Sequence, residues 1–140
     1  MNQERIHNYR ETQIKTASKG KLVVMLYEGV VRNLDIAIEA IPEKQFDVAN
    51  RSILNAQDII SELIMALNME AGDFSKNLLN IYSFLNTKLI DANIRKDAEP
   101  LKFVRKMASE LRDAWKQITK KSPNPDLEEM KKGGGIDIAG

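Results

Sequence analysis

The chain has 140 residues with a formal net charge of +1, enough for one domain with a sizeable core. Charge this balanced gives no electrostatic footing for nucleic acid, which requires clustered Lys and Arg. There is no cysteine, so disulfides and thiolate chemistry are excluded, and a reducing compartment fits.

The opening residues, Met1-Asn2-Gln3-Glu4-Arg5-Ile6-His7, contain no apolar stretch of the secretory type. No uninterrupted apolar run approaches bilayer-spanning length, so membrane insertion is not expected and the location is read as cytoplasmic. Residues 1–17 read as an N-terminal arm. Ser18 is then placed to cap a first helix through its hydroxyl. The first turn of that helix, Lys19-Gly20-Lys21, sets positive charge against the helix dipole. Six apolar residues follow in a row, Leu22 to Tyr27, more than one buried stripe demands. Pro42 restricts the residue before it, which ends the helix near Ile41.

A second helix is expected over Gln45 to Asn68, with its seam at Phe46, Ala49, Ile53, Ala56, Ile60, Leu63 and Leu67. Gaps of three and four keep these residues on one face. Gly72 provides a turn, with Asp73 as the expected N-cap of a third helix. Phe74, Leu78, Tyr82, Leu85, Leu89 and Ala92 form its seam. Pro100 suits the first turn of a fourth helix, where its missing N–H has no partner to lose. The last seam is Leu101, Val104, Ala108, Leu111, Trp115 and Ile118, and Lys120 and Lys121 complement the dipole at its end. Helices of matched length, about 35 Å each, joined by short connections predict an antiparallel up-down-up-down four-helix bundle over residues 18–121. From Ser122 to Gly140 the chain turns proline- and glycine-rich, which reads as a disordered tail. Ile136-Asp137-Ile138 within it has the form of a short binding motif, but plain disorder is the stronger reading.

Metal chemistry lacks its ligands. The single histidine, His7, lies in the arm, so paired Glu-x-x-His sites and zinc sites cannot be assembled, and no cofactor is expected. Glu28, Asp58, Glu62, Asp91 and Asp113 read as solvated helix faces rather than acid–base pairs. The glycines at 20, 29 and 72 make no phosphate-binding loop. An enzyme is not expected. Apolar surface is in surplus instead: Val23, Val31, Ile38, Ile59, Ile64, Met65, Ile81, Ile90, Ile94, Phe103 and Met107 all fall off the seams. Burial is the commoner fate of such residues; the sharper alternative is a groove for an amphipathic partner segment. Methionines at 25, 65, 69 and 107 suit an adaptable surface.

Tyr9, Thr16-Ala17-Ser18 and Met25-Leu26-Tyr27-Glu28-Gly29 come in an order that resembles the start of the flagellar export chaperone family FliS. The resemblance continues through Asn50, Ala56 to Leu63, Asn77-Leu78, Tyr82, Ala92-Asn93, Asp97 and Glu110 to Trp115, spanning about residues 9–117. Two positions depart from the family pattern: Glu4-Arg5-Ile6 stands where Asn-Pro-Tyr is common, and Lys19 where proline is common. The resemblance implies a helical bundle that binds the disordered C-terminal region of flagellin in the cytoplasm. It would prevent premature polymerisation and keep the monomer competent for the flagellar export apparatus. In such a chaperone Ile6, Tyr9 and Ile14 form one contact group from the arm. Ile59, Ile64, Ile81, Tyr82 and Met107 are the candidates for groove residues. A homo-oligomeric structural or adaptor bundle, and an all-helical enzyme using Arg and carboxylates, are the rival readings.

Overall fold

Four long helices separated by short turns make up the fold, and each turn has a local cause. The structure, a computed structural model, describes residues 19–121, and within these there is no strand. The expectations for the arm, the Ser18 cap and the tail after Lys121 lie outside these residues.

Helix α1 runs Lys19–Ala40. It ends just before Ile41-Pro42, and a turn closed by Gln45 N–H donating to the Ala40 carbonyl (3.0 Å) reverses the chain. Helix α2 runs Phe46–Met65, three residues short of the expected end at Asn68. Asn68 leaves helical backbone (φ −93°, ψ 96°) and its side chain accepts from the Glu70 N–H, capping a 3₁₀ turn at Met69–Ala71. Asparagine competes with the backbone in this way at helix ends.

Gly72 follows with φ +82°, a conformation that only glycine adopts cheaply. Helix α3, Asp73–Arg95, begins there, so Asp73 is its first residue and not its cap. No side chain caps this end. Asp73 instead places negative charge in the first turn, where the dipole favours it. Ser75 is fully buried and donates to the Asn68 carbonyl at 2.6 Å, tying α3 to the preceding turn.

Helix α4 runs Ala98–Lys121, with Pro100 in its first turn and Lys120 and Lys121 in its last. Between α3 and α4, Lys96 takes the left-handed conformation (φ 52°) and Asp97 accepts from the Glu99 N–H at 3.0 Å. A hinge of two residues therefore suffices.

α1 packs against α2 and α4, and α3 packs against the same two helices from the opposite corner. This is the expected up-down-up-down bundle. The seams of α2, α3 and α4 are buried largely as their spacing predicts: Ala49 to Leu63, Leu78 to Ala92, and Leu101 to Trp115. Phe46 is an exception. It is the first residue of α2, three before Ala49, the first buried residue of that helix, and is 44% exposed.

The long apolar run on α1 goes mostly into the core. Val23, Val24, Leu26 and Tyr27 are buried there, and so is Val31; Met25 faces out. A helix gripped from two sides needs an apolar arc wider than one stripe.

Candidate partner-binding surface

Each long groove between neighbouring helices is finished differently at the surface. Along α1 and α4 the finish is polar. Arg105 Nε donates to Asp35 Oδ1, and Lys116 lies 3.8 Å from Glu28. Asp35 holds the Arg105 guanidinium above its ordinary pKa, chiefly through this hydrogen bond.

Along α1 and α2 the surface is mixed. Gly29 is buried, and Ile59 rests over it, half-buried and packed on the core. One turn on, Asn33 donates to the Gly29 carbonyl at 2.8 Å, and Asn55 donates to Asn33 at 3.4 Å. Met25 and Ile36, four before and seven after Gly29, share its face and are exposed.

The two flanks of α3 are more apolar. On the α2 side, Asn93 donates to Asn50 at 2.8 Å. Phe46 and Leu54, four residues either side of Asn50, are exposed, as are Ile90 and Ile94 beside Asn93. On the α4 side, Phe84 and Phe103 meet edge to face, with ring centroids 6.1 Å apart and planes at 85°. Both rings are about half exposed. Lys88 Nζ stands 5.4 Å from the Phe84 centroid and 6.0 Å from that of Phe103, so the aromatic pair carries positive charge over its faces. Ile81 lies three residues before Phe84 and Met107 four after Phe103, so helical spacing brings them to this flank, half-buried against the core.

Tyr82 belongs elsewhere. It is 2% exposed, and its hydroxyl shares a hydrogen bond with that of Tyr27 in the centre of the bundle. Burial is the main force raising both hydroxyl pKa values. Tyr82 is pushed up to about 12, although its bond with Tyr27 acts the other way. Tyr27 is raised well above its ordinary value by burial, then by Tyr82, with the Trp115 indole acting in the opposite direction. The indole nitrogen makes no hydrogen bond among the described residues.

A cavity of about 30 Å³ lies beside Tyr82 and Trp115, bounded also by Lys19, Val23, Leu63 and Leu67. That is room for water, far below the roughly 300 Å³ at which small-molecule pockets begin. Among the described residues no three His, Cys, Asp or Glu side chains cluster to hold a metal, and no helix is long and apolar enough to cross a membrane.

Of the residues singled out from sequence, Ile59, Ile64, Ile81 and Met107 are half-buried at the edge of the core. Tyr82 is inside it, and Ile6, Tyr9 and Ile14 lie outside the described residues. Ile81 and Met107 fall on one flank; Ile59 stands on another, over Gly29. Sequence reasoning overlooked Phe84 and Leu54. Both were detectable: Phe84 sits between seam residues Tyr82 and Leu85, and Leu54 directly follows Ile53, each turned off its seam.

Comparison with known proteins points to one family. The chain matches the family described as "Flagellar protein FliS" over residues 1–122. It is 33% identical over 109 residues to the flagellar secretion chaperone FliS of Bacillus subtilis (strain 168), covering 78% of this chain and 81% of the relative. To the FliS of Vibrio cholerae it is likewise 33% identical over 109 residues, covering 77% and 80%. To that of Escherichia coli (strain K12) it is 30% identical over 109 residues, covering 76% and 80%. With a family match over most of its length and relatives this similar, the chain belongs to the FliS family.

Proposed function

We propose that this protein is a cytoplasmic flagellar secretion chaperone that holds the C-terminal segment of flagellin. It prevents premature polymerisation and keeps the monomer competent for the flagellar export apparatus, without catalysis or a cofactor. The observation that carries this reading is the pair of apolar flanks along α3 on a bundle of the FliS family: Phe46, Leu54, Ile90 and Ile94 on one side, Phe84 and Phe103 on the other. Large apolar side chains grouped in this way on a protein surface mark binding sites.

The mechanism is coupled folding and binding. A disordered partner loses conformational freedom when it binds, so the interface must be extensive to offset that cost. Several separate flanks on one rigid bundle provide such a wrapped surface. Ile59, Ile64, Ile81 and Met107 contribute their outer edges. Tyr82 acts from below, by fixing the packing beneath. The arm joins the chain at Lys19, beside the small cavity, and Ile6, Tyr9 and Ile14 supply a further contact group.

Capture assays with full-length flagellin and with flagellin lacking its C-terminal region test this reading. Retention of the full-length protein alone is the expected result. Equal capture of the truncated form contradicts it.

A further inference from the structure

We infer that Gly29 is a positioning residue that sets how Ile59 is presented to a bound partner, a role that rests on the chaperone reading above. Gly29 lies in the middle of α1, where glycine weakens a helix relative to alanine. Its backbone needs no glycine, since Gly72 is the one glycine with positive φ among the described residues. The reason is space. A Cβ at position 29 meets Ile59 Cδ1 at 3.0 Å and Cγ1 at 4.0 Å, the first tighter than ordinary van der Waals contact.

Nothing else crowds that site closely; the next neighbour, Arg32 Nη2, is at 3.9 Å. The absent side chain is therefore a notch that receives the tip of Ile59. The Asn55–Asn33–Gly29 hydrogen bonds hold the two helices in register one turn away. The backbone is thus less free to move than the side chain. Ile59 is only half-buried, so a methyl group in the notch turns its tip outward rather than disrupting the core. The surface it shares with exposed Met25 and Ile36 changes shape, while the fold beneath keeps its packing. Stability and binding should therefore separate at this position.

The test is titration calorimetry of the full chain against the C-terminal segment of flagellin, with thermal unfolding measured alongside. The variants are G29A, I59V and the double substitution; I59V removes the Cδ1 that the new methyl meets. Binding by G29A is expected to weaken about tenfold, with an unfolding midpoint at or above that of the unsubstituted chain. In the I59V background the same change is expected to cost less than about twofold.

Unchanged affinity of G29A overturns the inference, as does an equal loss in both backgrounds. A lowered midpoint in G29A, reversed by I59V with no effect on affinity, makes Gly29 a packing residue only. An I59A control separates this from the broader reading. If the unsubstituted chain fails to bind the segment, the chaperone reading itself fails. If I59A weakens binding while G29A does not, only the role of Gly29 falls.

Discussion

Helices α1 and α3 occupy opposite corners of one bundle and bury very different shares of their residues. α1 buries eleven of its 22 residues, Gly20 among them, between α2 and α4. α3 buries six of 23 and leaves Phe84, Ile90 and Ile94 exposed. Small residues suit the tightness of the first corner: Gly29, Ala37 and Ala40 on α1 and Ala49, Ser52 and Ala56 on α2 are all buried, and residues this small let helix backbones approach. The flanks of α3 carry larger groups at the surface, and its packing is looser. Apolar content thus has two destinations here. In α1 most of it makes the fold, with Met25 and Ile36 left at the surface; around α3 a larger share remains available to a partner.

The sharpest break of this comparison is a matched pair of truncations. Leu34→Ala, at a fully buried position on α1, is expected to lower stability by about 2–5 kcal/mol in denaturant unfolding. Ile94→Ala, at a position 78% exposed, should stay within about 0.5 kcal/mol. Comparable losses at the two sites would erase the distinction between corners.

The tyrosine pair sharpens it next, because it links the two helices through the core. Tyr27→Phe leaves the buried Tyr82 hydroxyl without this partner and should cost about 1–3 kcal/mol, while Tyr27→Phe with Tyr82→Phe should cost less than the single change. The pair also predicts alkaline behaviour. Both hydroxyls hold their protons more tightly when folded than the ordinary value of 10. Their contribution is therefore fully present below pH 10. It is lost as pH rises above 10 towards the folded value of about 12 for Tyr82 and the raised folded value of Tyr27. Unfolding midpoints measured from pH 9 upward should fall steeply above about pH 10 in the native chain, and less in the double phenylalanine variant.

The smallest effect belongs to the polar finish of the α1–α4 groove. Arg105→Ala removes an ion pair whose side chains are 42% and 51% exposed, so the loss should be about 0.2–1 kcal/mol and shrink in high salt. A loss beyond 2 kcal/mol would mean that this seam is held by charge rather than by the apolar packing beneath it.

The contrast between corners also shows what could be read from the residues alone. The seams of α2, α3 and α4 were legible because each helix turns one narrow face to the centre, and spacing of three and four records that directly. α1 was harder. Its second contact surface makes Val23 and Val31 look surplus when they are core. Turn chemistry was readable at Gly72 and Pro42 but not at Asn68, whose side chain caps the 3₁₀ turn after α2, nor at Lys96, whose left-handed conformation carries no residue signature. For the candidate surface, Phe103, Ile90 and Ile94 were visible as residues off the seams. Tyr82 was readable both as a seam residue and as a groove candidate; spacing along one helix could not show that its hydroxyl meets that of Tyr27 inside the bundle. Pairing of Phe84 with Phe103 depends on how two helices face each other, and spacing along one chain cannot supply that.

The central claim is that the flanks of α3 serve a partner and not the fold. Affinity of the Phe84→Ser, Ile94→Ser double variant for the flagellin C-terminal segment, measured by titration calorimetry, tests it most directly. The account predicts a loss of about tenfold or more. Native affinity in that variant would contradict it.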